Sequence, residues 1–210
     1  HGDFLEHVRK HLPPEREKDL IYFNVPDPNC PYGFNPLESV PIDRRPLAAS
    51  GLIEAFRKIW DKTWGPRMEN LLRNTILALL DQPKATFADV RKLYFDPEFR
   101  KQVLARVTNA QVKAFWEEEF FRFPPNQRAE MVNPVLNKIG AFLADPNLQR
   151  VLINPKVTFD LRKIMDEGKI LLVNLAKGKI GEDNTKLLGA ILVSRIGLTA
   201  LSRADLPEEE

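Results

Sequence analysis

The chain has 210 residues, 43% of them hydrophobic, enough to bury a core in one generous domain or two small ones. Its 31 basic and 29 acidic side chains leave a formal charge of +2, so no bulk electrostatic attraction favours nucleic acid, and any such contact needs a local patch. A single cysteine, Cys30, excludes an internal disulfide framework and fits a reducing, cytoplasmic compartment, and no window approaches the roughly 20 uninterrupted apolar residues of a membrane-spanning segment.

The first predicted element is a helix from His1 to Leu12, with Phe4, Leu5 and Val8 at helical spacing and Pro13 and Pro14 to stop it. His7 and His11 sit at i and i+4 on it, a spacing able to chelate a metal. The residue after His7 is Val8 rather than a catalytic glutamate, however, and solvated histidines are the better reading, with no metal site. "DLIYFNV", Asp19 to Val25, reads as a short strand between turn residues. Pro26 to Pro46 then holds six prolines, which predicts an irregular but ordered connector and a domain boundary.

From Ala48 to about Asp145 the apolar period is helical. Leu52, Ile53, Phe56, Ile59 and Trp60 form one stripe; after a Gly65-Pro66 break, Met68, Leu71, Leu72, Ile76, Leu79 and Leu80 form another. "DPEFRKQVLARV" opens with an Asp cap and Pro97 at the first helical position, Asn109 caps a helix through Phe121, and Asn126 to Leu143 makes a last one. The sum is an all-α unit of about five helices. Within it, "FWEEEFFRF" interleaves core aromatics with Glu117, Glu118 and Glu119. Three adjacent glutamates cannot share one helix face, so they form no acid/base pair, and their charge disfavours base stacking. Arg67 and Arg73 in "WGPRMENLLRN" are candidates for contact with a phosphate or a partner carboxylate, against the commoner roles of capping and surface ion pairing.

After Pro155 the pattern changes. "FDLRKIMDEG" predicts a short helix ending on Gly168, "KILLVNL" a continuous apolar run suited to a central parallel strand, and Asn184 to Ala204 a long helix. The connecting loop, "AKGKIGEDNT", carries Lys177, Gly178, Lys179 and Gly181. It is not a Walker A loop: glycine and lysine come in the wrong order, and Glu182 and Asp183 stand where a helix N-terminus would meet an anion. Lys177 and Lys179 remain candidates for contact with a neighbouring subunit. The expected fold class is therefore mixed and mainly α, with residues 47–155 as an all-α domain between α/β segments at 1–46 and 156–210. Both ends of the chain read as cut rather than finished. No serine, cysteine or threonine nucleophile has an evident base.

Read in order, "HGDFLEHVRKHLPPER", "IYFNVPDPNCPYGFNPLE", "WGPRMENLLRNTILALL", "FWEEEF", "PVLNKIGAFLADPNLQRVL" and "IMDEGKILLVNLAKGKIGEDNTKLLGAILVSRI" resemble the central part of HerA/FtsK-like P-loop ATPases. The nearest group is the conjugative coupling proteins of type IV secretion, the TraG/TraD-like family. The resemblance implies that the α/β segments are remnants of a RecA-like motor domain and that the parent is an ATP- and magnesium-dependent translocase of DNA or protein. It also implies a homo-hexamer on the cytoplasmic side of the inner membrane, whose helical insertion meets a DNA or nucleoprotein substrate or an adaptor protein. His1, Gly2 and Asp3 would lie near the nucleotide phosphates of the complete motor. The Walker A lysine, the Walker B carboxylates and the arginine finger have no counterpart in this chain, so the segment alone is expected to bind no cofactor and to be inactive. A stand-alone helical protein-interaction adaptor is the competing expectation.

Overall fold

A computed structural model describes residues 2–153 and 155–206, the first two of these by their backbone alone. In chain order the elements are α1 (Gly2–Lys10), β1 (Leu20–Asn24), β2 (Tyr32–Gly33), α2 (Arg45–Trp60), α3 (Pro66–Leu80), α4 (Asp89–Phe95), α5 (Pro97–Arg106), α6 (Ala110–Ala114), α7 (Pro125–Leu143), α8 (Pro146–Leu152), β3 (Val157–Thr158), α9 (Leu161–Asp166), β4 (Ile170–Asn174), α10 (Lys177–Ile180) and α11 (Glu182–Ser202). The chain is mainly helical with a small amount of sheet. Packing divides it into two units: the described residues up to Asn35 and from Asp145 onward form one, and Pro36–Ala144 forms the other.

The first unit joins the two ends of the sequence through parallel strands. β1 pairs with β4 in register from Leu20 opposite Ile170 to Asn24 opposite Asn174, and β2 pairs with β3, Tyr32 opposite Val157. Two residues of the proline-rich connector are thus sheet rather than irregular chain. Gly33 is required there because an added Cβ would collide with the Pro155 ring and come within 2.5 Å of the Val151 carbonyl oxygen. Phe159 caps the packing, edge-on to Phe23 at 5.2 Å and stacked on Phe34 at 5.6 Å.

Helix α8 belongs to this unit, which moves the second boundary from the expected 155 back to 144. Its start is set by Asp145, whose carboxylate accepts the amide N–H groups of Asn147 and Leu148 at 2.7 and 3.2 Å, with Pro146 at the first turn. Arg150 on α8 then donates to the carbonyls of Val25 and Cys30 at 2.5 and 3.3 Å, clamping the chain leaving β1. The "KILLVNL" run is parallel, as its continuous apolar character suggested. Among the described residues its strand, Ile170–Asn174, has β1 as its one partner, and all five strand residues are half-buried rather than fully buried.

Helix α11 packs Leu187, Leu188, Ile191, Leu192, Leu198 and Thr199 inward, and Arg195 is also buried. Its opposite face leaves Val193 70% and Leu201 60% exposed. By length and composition alone this helix, with a mean hydropathy of 1.4, is apolar enough to cross a membrane. The structure packs one side of it within the first unit.

The helical unit has two aromatic clusters. Phe56, Phe87 and Phe142 meet edge-on with centroids 5.7 to 6.4 Å apart, joining α2, the chain before α4, and α7. Tyr94, Trp116 and Phe120 form the second. The sequence reading has no counterpart for the seven-residue α4. It also takes Asn109 to Phe121 as one helix, whereas the structure has α6, a π-helical turn over Phe115–Glu119 and a 3-10 turn over Phe120–Arg122. The wide turn has a structural consequence: i to i+5 bonding brings Phe115 and Phe120 to the same side, both buried with Trp116, while the three glutamates stay exposed.

Candidate functional site

In the first unit, open parallel α/β layers place ligands at the carboxyl ends of their strands. Here those ends are Asn24 and Asn174, whose side-chain amides are joined by a 2.9 Å hydrogen bond from Asn174 Nδ2 to Asn24 Oδ1. Asn174 Oδ1 also accepts the Ala176 amide at 3.1 Å, which turns the chain out of β4 into α10. Gly181 separates α10 from α11 at φ 83° and ψ 160°, a conformation that is essentially glycine-only. The Thr185 hydroxyl closes the loop by hydrogen bonding to the carbonyls of Gly181 and Leu175 at 2.7 and 3.1 Å.

Two lysines share the Glu182 carboxylate. Lys177 Nζ lies 2.6 Å from one carboxylate oxygen of Glu182, and Lys186 Nζ lies 2.7 Å from the other. Hydrogen bonds from Lys177 and then Lys186 hold the Glu182 carboxyl down to about 2. Glu182 and Asp183 therefore occupy the first turn of α11, where an anion would otherwise bind. This arrangement does not fit a triphosphate with its magnesium. Lys179 is exposed and has no ion-pair partner among the described residues.

The other sequence candidates are dispersed. His1 lies outside the described residues; Gly2 and Asp3 open α1, and their side chains lie outside the described set. His11 Nδ1 is 2.8 Å from the His7 carbonyl, and the two rings are tilted by 35° with centroids 4.1 Å apart. Among the described residues no group of three or more His, Cys, Asp or Glu side chains gathers to hold a metal. In the helical unit, Arg73 bridges helices: it donates to Ser50 Oγ at 3.0 Å and to Glu69 at 3.2 Å. Glu69 also accepts the Trp64 indole N–H at 2.6 Å, and this bond first, then Arg73 against partial desolvation, holds its carboxyl below the ordinary value. Arg67 is exposed on α3, with no hydrogen bond or ion pair among the described residues. Arg67 and Arg73 fall in one unit, Lys177 and Lys179 in the other.

The helical unit does contain a site that the sequence pattern left hidden. A groove of about 370 Å³ runs between α5 and the π-helical turn, floored by Leu104, Trp116 and Phe121 and rimmed by Arg100, Lys101, Lys113 and Glu117. The Arg100 guanidinium stacks on the Phe121 ring with Cζ 4.2 Å from the centroid, and Arg128 from α7 approaches the same ring at 5.3 Å. Arg100 uses Nη1 to bond the Leu93 and Tyr94 carbonyls at 3.2 and 3.1 Å. The aromatic run was a visible signal; the two arginines come from helices on either side of it and are assembled only by folding. No protein-family model matches the chain, and no curated protein or solved structure matches it.

Proposed function

We propose that this chain is the central segment of an ATP-driven DNA or protein translocase of the HerA/FtsK-like coupling type, its helical unit contacting the substrate or an adaptor protein. The supporting observation is the parallel pairing of β1 with β4. Strands 150 positions apart in sequence lie side by side, with Asn24 bonded to Asn174, and the intervening all-α stretch packs as a unit of its own. A helical insertion between adjacent parallel strands is the order expected from the family resemblance. The half-exposed apolar β4 supports it further, because parallel strands are usually covered on both faces within larger sheets.

In this reading ATP and magnesium belong to Walker A and Walker B residues that the chain does not contain, and the parent acts as a homo-hexamer at the cytoplasmic side of a membrane. The test compares ATP hydrolysis by this chain with that by a chain extended in both directions along its gene. Nucleotide-dependent activity is expected from the extended chain only. An extended chain without a Gly-Lys-Ser/Thr loop upstream, or without any such activity, would refute the motor. The second reading, a helical adaptor without a motor, is favoured by the cationic-aromatic groove; stop and start codons directly flanking the segment would select it.

A further inference from the structure

The groove between α5 and the π-helical turn is the cavity whose chemistry is least explained by folding. Three cations, Arg100, Lys101 and Lys113, line it against one carboxylate, Glu117, and only Lys113 approaches that carboxylate, at 4.0 Å. Arg100 makes no ion pair among the described residues. Arg128 is in the same position, and its buried Nε has no hydrogen-bond partner among the described residues. Two like charges thus lie against one aromatic ring, and neither has an ion-pair partner among the described residues. Burial, and then the neighbouring Arg128 charge, disfavour the Arg100 cation, with Asp96 as the opposing influence. An added anion at the free edge of Arg100 would relieve both penalties.

The rim limits which anion fits. Glu117 stands on the groove's rim, so a phosphodiester backbone tracking across the groove would meet its negative charge. A single carboxylate at Arg100 avoids it. The floor is apolar and aromatic, and the volume matches a site that accommodates one or two side chains. We infer that this groove docks a segment of a partner protein that presents one carboxylate to Arg100 and an aliphatic side chain to the floor of Leu104, Trp116 and Phe121. The inference deepens the reading of the helical unit as the contact surface and rests on it only in that respect.

The experiment is a heteronuclear NMR titration of the chain with the end-blocked tripeptide acetyl-Leu-Glu-Leu-amide, beside acetyl-Leu-Gln-Leu-amide and oligothymidylate. Saturable shifts confined to the groove are expected from the Glu peptide, with binding about tenfold weaker for the Gln peptide because one charge-assisted bond is lost. Arg100→Gln is expected to reduce the Glu peptide to the Gln level. Because Arg100 also bonds the Leu93 and Tyr94 carbonyls, Lys101→Glu serves as a second variant at an exposed position, and a several-fold loss is expected from it as well. Equal binding of both peptides, or no shift up to about 20 mM, overturns the inference. So does oligothymidylate binding at the groove more tightly than either peptide, which assigns the site to nucleic acid. None of these outcomes alters the ATPase comparison, so failure of the groove and failure of the motor are separable.

Discussion

The carboxylate of Asp81, just after α3, ties three segments of the helical unit. It accepts Arg45 Nη1 from the start of α2 at 2.5 Å, and the Thr108 amide and hydroxyl from the loop before α6 at 2.6 and 3.0 Å. The Asp81 side chain is 5% exposed and that of Arg45 19%, so the pair is largely desolvated. Asp81→Ala removes the carboxylate paired with Arg45 and leaves the guanidinium with a long 3.4 Å bond to the Val40 carbonyl. Breaking a buried pair from one side costs about 3 to 5 kcal/mol, and the partial exposure of Arg45 and Thr108 places this case near 3. With a urea slope of about 2 kcal/mol per molar for a unit of this size, the midpoint should fall by about 1.5 M. Trp60, Trp64 and Trp116, the chain's three tryptophans, all lie in the helical unit, so their fluorescence reports its unfolding. The double variant Arg45→Met, Asp81→Leu should lose much less than Asp81→Ala, since it leaves no orphaned charge. A fall under about 0.3 M for Asp81→Ala, or a double variant as weak as the sum of the single ones, would refute the argument.

Gly33→Ala should destabilise the first unit by about 1 to 3 kcal/mol, because the new Cβ meets the Val151 carbonyl and the Pro155 ring; hydrogen exchange of the β1 and β4 amides measures it, and unchanged protection would contradict the packing. In a carbon-13 NMR titration Glu182 should protonate near 2. Its folded value lies below the ordinary 4.5, so its stabilising contribution is complete above about 4.5 and is lost as pH falls toward 2; a midpoint at 4.5 would show that Lys177 and Lys186 do not hold it. Trp64→Phe removes the shortest hydrogen bond to Glu69, and the Glu69 carboxyl should then titrate at a higher pH, with Arg73 still holding it partly down.

Local chemistry made much of the secondary structure legible. Pro97 after Asp96, Asn109, and Gly168 announce helix ends because capping and positive-φ preferences act within a few residues. The same Asp-Pro signature stood at Asp145-Pro146, before α8, and was available to the same reasoning. The π-helical turn was less accessible, since the ordinary helical period puts Phe115 and Phe120 on different sides and only the wider turn of the fold brings them together.

The sequence by itself determined the helical and strand character of most segments, their order, and that glycine and lysine in the Gly178-Lys179 loop do not follow the Walker A order, because periodicity, capping and residue order are properties of neighbours along the chain. The tertiary structure decided which candidates are already engaged: Arg73 by Ser50 on α2, and Lys177 by Glu182. It also decided that β1 and β4 are partners and that Arg100 and Arg128 meet on Phe121. These contacts join residues that are distant along the chain or project from different elements, and they form only when burial of the apolar surfaces brings those elements together.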